Sequence, residues 1–151
     1  MPKGMTFRDI RCGIDVEFGL SVYEPFGISQ FEGLSFGAIC AVSNVCGCMG
    51  FARRAAENGE ADGIIVEGDF LDLGRDLDIE SLLDLPMSER DRVETDEARK
   101  LAETIIEKLA DDDATLQRRI DAGYRLATKM SWEHVVEAYF LPALDRAAAR
   151  V

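Results

Sequence analysis

Two carboxylates bracket a tight turn in an apolar part of this sequence. They are Glu24 and Glu32, eight residues apart within "YEPFGISQFEGLSFG" (residues 23–37), with Pro25 and Gly27 between them. A carboxylate accepts hydrogen bonds from hydroxyl groups. Phe26, Gly27, Ile28 and Ser29 lead into a helix expected to begin near Ser29, and the first amides of a helix favour an anion such as phosphate. Gly27 leaves room for that anion to approach the backbone. Acids for hydroxyls beside amides for phosphate describe a nucleotide-sugar site; a solvated helix face or a capping pair fits the same two glutamates.

The elements that must hold this turn are legible around it. "IDVEFGLS" (14–21), "AICAVS" (38–43) and "GIIVEG" (63–68) are short apolar runs bounded by Gly or polar residues, which suits buried parallel strands. "SQFEGLSFG" and "CMGFARRAAENG" lie between them, read as helices ending on a C-capping glycine. Strand, helix, strand, helix, strand predicts an α/β fold with a parallel sheet. The 24–27 turn then follows the first strand, at the carboxyl end of the sheet, where open α/β folds bind ligands.

The second half reads differently. Residues 67–95 form an acid-rich, irregular stretch in which Pro86 breaks any single helix, a solvated excursion within one domain spanning 1–151. From Asp96 a helical face carries Ala98, Leu101, Ala102, Ile105, Ile106 and Leu109, and a second helix carries Leu116, Ile120, Leu126 and Met130. Ser131 is an N-cap for a last helix that Pro142 should end or kink. Trp132 and Tyr139 on it read as core or interdomain packing, and His134 as an exposed residue without a catalytic role. Arg53 and Arg54 read as a solvated helix face.

Charge and cysteine usage exclude several function classes. A formal charge of -12 lacks the basic stripe that nucleic acid or an anionic membrane needs. No run approaches the ~18 apolar residues of a membrane span, and the expected compartment is the cytoplasm. Cys12, Cys40, Cys46 and Cys48 fall at irregular spacings beside a single histidine. No metal site is expected from them; reduced core or loop thiols are the reading.

The glutamate pair with its Pro-Phe-Gly turn resembles the E-x7-E signature of retaining glycosyltransferases with the GT-B fold, in particular the glycogen and starch synthase type. The motif stands here as Glu24-Pro25-Phe26-Gly27-Ile28, then Glu32 and Gly37. "AICAVSNVCGCMGF" is similar to the strand and glycine loop that follow it in the family, "ADGIIVEGD" to the next strand, and "MSWEHVVEAYF" to the carboxyl-terminal helix. The resemblance implies a partial Rossmann-like, three-layer sandwich with a short parallel sheet and C-terminal helices, corresponding to the later part of the second GT-B domain. It also implies retaining transfer of a hexosyl group from a nucleoside-diphosphate sugar, such as UDP-glucose or ADP-glucose, to a hydroxyl acceptor, with no further cofactor. By the same resemblance Glu24 is catalytic, Phe26, Gly27, Ile28 and Ser29 hold sugar and phosphate, and Glu32 holds the ribose.

The departures matter as much. The family's diphosphate-binding Arg and Lys and its first domain have no counterpart in these 151 residues, and no Arg or Lys lies between Arg11 and Arg53. Activity by this chain alone is therefore not expected. The strand that the family pairs with 14–21 is also missing, which leaves an edge open to the other domain or to a second copy. Gly33 stands where the family usually has Ala, and Cys46-Gly47-Cys48 where it often has paired glycines, so the role of the two cysteines stays open. Two alternatives remain: a non-catalytic binding or assembly module that keeps the fold, and an unrelated small Rossmann-like protein.

Overall fold

The computed structural model describes residues 2–21, 24–55, 59 and 63–150. In chain order these form α1 (Phe7–Arg11), β1 (Val16–Gly19), a 3-10 helix (Ser29–Phe36), β2 (Ile39–Ser43), α2 (Cys48–Ala55) and β3 (Ile65–Gly68). There follow α3 (Ile79–Leu83), α4 (Met87–Lys108), α5 (Asp113–Thr128), α6 (Trp132–Val135), a π turn (Val136–Phe140) and α7 (Leu141–Ala148). Among these residues no helix is long and apolar enough to cross a membrane.

The three strands form one parallel sheet in the order β1-β2-β3, with Val16 opposite Ile39 and Cys40 opposite Ile65. Every residue of β2 is buried, because both of its faces are covered. Side chains alternate across a strand, so Ile39 and Ala41 pack on one face with Val66, Leu101 and Ile105. Cys40 and Val42 pack on the other with Phe31, Leu34, Met49, Ala52 and Leu126. The result is α/β in three layers: α4 on one side, the sheet, then the 3-10 helix, α2 and α5.

Several expectations are corrected. The segment from Ser29 winds as a 3-10 helix and not an α-helix; Gly33, a weak helix former at its centre, sits against Glu17 and Ala38, and Gly37 closes it in a left-handed conformation. Residues 67–95 are not irregular throughout, since α3 is capped by Asp78 and α4 starts at Met87, directly after Pro86. A proline costs nothing at a helix start, where its missing N–H has no partner to lose. The buried stripe of α4 is Val93, Glu97, Leu101 and Ile105, narrower than the hydrophobic pattern suggests: Ile106 is 68% exposed.

The last helix also differs from its reading. Ser131 does cap it, accepting the His134 N–H at 3.2 Å. Pro142 does not end it; the chain widens into the π turn and resumes as α7 with the proline in its first turn. Trp132 lies outside the core at 81% exposure, and Tyr139 is exposed with its ring edge-on to His134, which is half-buried.

Candidate functional site

The turn after β1 is fastened to the loop after β2. Glu24 pairs with Cys46 as a short parallel bridge, the Gly47 N–H donates to the Glu24 carbonyl at 3.0 Å, and the Cys48 N–H donates to the Phe26 carbonyl at 2.7 Å. The Cys46 thiol donates to that same Phe26 carbonyl at 3.2 Å. Asn44, on this loop, donates its N–H to Gly68 at the end of β3. The carboxyl ends of all three strands therefore meet in one patch.

Two glycines make the fastening possible. Gly27 adopts φ +79, and a Cβ there would fall 2.4 Å from the Cys46 sulfur. A Cβ on Gly47 would fall 1.9 Å from the Pro25 carbonyl oxygen. Gln30 completes the contact: it is buried, packs over Gly19 and Gly27, and its Oε1 accepts the Ser29 hydroxyl at 3.3 Å. Phe26, Ile28 and Ser29 are exposed, and Glu24 is half-buried.

The two glutamates are anchored differently. Glu24 belongs to the loop just described, and its charge acts on the Cys48 thiol. Glu32, with its side chain 47% exposed, gives Oε2 to the guanidinium of Arg11, which also bonds Glu17 at 3.2 Å. Glu17 is the second residue of β1, so this triad lies beside the first half of that strand. Sequence reasoning missed both Arg11 and Gln30. Arg11 closes α1, and no spacing rule links it to a residue 21 positions later.

Burial sets the thiol chemistry. It pushes Cys48 up to about 12, with the Cys46 hydrogen bond and the Glu24 charge acting in the same direction, and it pushes Cys40 up as well. Cys46 and Cys48 are both buried, with their sulfurs 3.0 Å apart. Arg53, read as solvated, pairs with Glu67 on β3. Among the described residues no three His, Cys, Asp or Glu are grouped to hold a metal ion.

Among the cavities formed by the described residues, two that lie elsewhere are not lined by residues 24–32. One of about 380 Å³ follows β3 and is lined by Asp69, Asp72, Glu97 and Lys100 among others. The other, about 410 Å³, lies between Gly63–Ile64 and α5, lined by Arg118, Arg119 and Arg125. No family model, curated protein or solved structure significantly matches the chain.

Proposed function

We propose that residues 24–32 form the donor half-site of a retaining hexosyltransferase of the GT-B, glycogen and starch synthase type, taking a nucleoside-diphosphate sugar such as UDP-glucose or ADP-glucose. The observation that carries this reading is the left-handed Gly27 turn at the carboxyl end of β1, locked to the loop after β2. That is where an open α/β sheet receives a nucleotide. The Phe26, Gly27 and Ile28 amides and the Ser29 hydroxyl would hold sugar and phosphate. Glu24 would stand beside the sugar, where a carboxylate stabilises oxocarbenium-like charge.

Glu32 would bind the ribose hydroxyls through Oε1, because Arg11 occupies Oε2. Only amides and a hydroxyl face the leaving diphosphate on this segment, so the reading predicts donor binding without hexosyl transfer by these 151 residues. Calorimetric titration with UDP-glucose and ADP-glucose tests it. Saturable binding of one donor, lost in Glu32→Ala, supports the reading; no binding of either by a folded chain contradicts it.

A second reading, a binding or assembly module, is favoured by a different observation. Phe18 on edge strand β1 and Trp132, Tyr139, Phe140 and Leu144 near the end of the chain expose apolar side chains. It predicts self-association that Glu24→Ala leaves unchanged in sedimentation experiments.

A further inference from the structure

The Cys46-Gly47-Cys48 loop places two thiols of the core against each other. Their sulfurs are 3.0 Å apart, about 1 Å more than a disulfide bond. Both side chains are buried, and Gly47 between them carries nothing to hold them apart. The pair also bears on its neighbours: Cys46 donates to the Phe26 carbonyl, and its sulfur sits where a side chain on Gly27 would be.

We propose that Cys46 and Cys48 are a reversible dithiol–disulfide couple, oxidised by low-molecular-weight disulfides of the glutathione class, whose state resets the Glu24–Ile28 turn.

The exchange balances without a further reagent. Cys46, as its thiolate, attacks one sulfur of the small disulfide, forming a mixed disulfide and releasing one small thiolate. Cys48 then gives up its proton and displaces the second small thiolate, closing the Cys46–Cys48 bond. Two protein thiols are oxidised, one small disulfide is reduced to two thiols, and the two protons end on those products. Burial holds Cys48 as a neutral thiol, which slows the second step; the 3.0 Å approach of its sulfur to that of Cys46 offsets this by presenting it directly to the mixed disulfide.

Oxidation removes the hydrogen on the Cys46 sulfur, and with it the bond to the Phe26 carbonyl. The turn keeps its backbone ties from Gly47 and Cys48 but loses its third. The couple itself does not depend on the nucleotide-sugar reading; only its effect on donor binding does.

The whole chain, equilibrated with reduced and oxidised glutathione, acid-quenched and peptide-mapped, tests this. The expected product is lighter by two hydrogen atoms, contains a Cys46–Cys48 linkage and reverts with excess reduced glutathione. Cys46→Ser and Cys48→Ser should each abolish it. Amide NMR should show Phe26, Gly27 and Gly47 displaced on oxidation while the α4 amides stay in place. Cys12 is exposed and reports that the oxidant is active. A folded chain glutathionylated at Cys12 with Cys46 and Cys48 both unmodified overturns the proposal, as does a linkage that leaves the turn amides unmoved. Titration of both redox forms with UDP-glucose and with ADP-glucose is read separately: no binding of either donor by either form counts against the donor reading and leaves the mapped linkage standing.

Discussion

At the residue scale, the account turns on what holds each candidate side chain. Glu32 is half committed to Arg11 before any ligand arrives, so Arg11→Ala is expected to weaken donor binding by loosening Glu32 and not by losing a contact to phosphate. A calorimetric comparison of Arg11→Ala with Glu32→Ala checks this, the arginine variant being the milder. Gly47 permits the approach of its loop to Pro25, and Gly47→Ala would drive a Cβ into backbone. Overpacking of that kind is expected to cost about 1–3 kcal/mol in urea unfolding. The turn around Gly27 was legible because its sequence signature is local. The Arg11 triad was not, because ion pairs between distant residues leave no period in a sequence.

At the element scale, the strands were legible and the helices only in part. Short Ile- and Val-rich runs can be little else in an α/β pattern, and all three strands fall within their expected bounds. Pro86 misled because a proline reads as a breaker whether it stands inside a helix or just before one. The stripe of α4 misled because a buried carboxylate takes a core position. Glu97 accepts the Asp69 N–H at 2.8 Å and pairs with Lys100 at 3.1 Å, tying the exit of β3 to the helix. Glu97→Ala leaves that amide without its acceptor and is expected to cost about 1–3 kcal/mol, with Glu97→Gln closer to wild type. Leu126, fully buried beneath the sheet, is expected to cost about 2–5 kcal/mol as Leu126→Ala. The caps add a pH dependence. The Ser81 and Thr115 amides hold Asp78 and Asp112 below their ordinary value of 3.8, so each cap contributes fully above that value. The contribution disappears as pH falls through the lowered values, and helical circular dichroism should decline there, less so in the Asp112→Asn variant.

At the scale of the whole molecule, a narrow three-stranded sheet leaves both outer strands open among the described residues, where β1 pairs with β2 alone and Phe18 on it is 64% exposed. Edges of this kind pair with other chains unless charge blocks them. Sedimentation at rising concentration is expected to show association that Phe18→Lys reduces. The net charge of -12 opposes such association, so added salt should strengthen it. The alternation of short apolar runs with helices conveyed the α/β class of the fold, and the E-x7-E resemblance suggested the ligand chemistry proposed above. Neither could convey that the last helix would expose its tryptophan, since an apolar face looks the same in sequence whether or not something covers it.

The central claim is that the amides of the Glu24–Ile28 turn receive a nucleoside-diphosphate sugar. Amide NMR of the reduced chain titrated with UDP-glucose, and in parallel with ADP-glucose, tests it most directly. The account predicts saturable shifts at Phe26, Gly27, Ile28 and Ser29 with either donor, absent in Glu32→Ala. Shifts confined to the residues around the two cavities, or none from a folded chain with either donor, would contradict it.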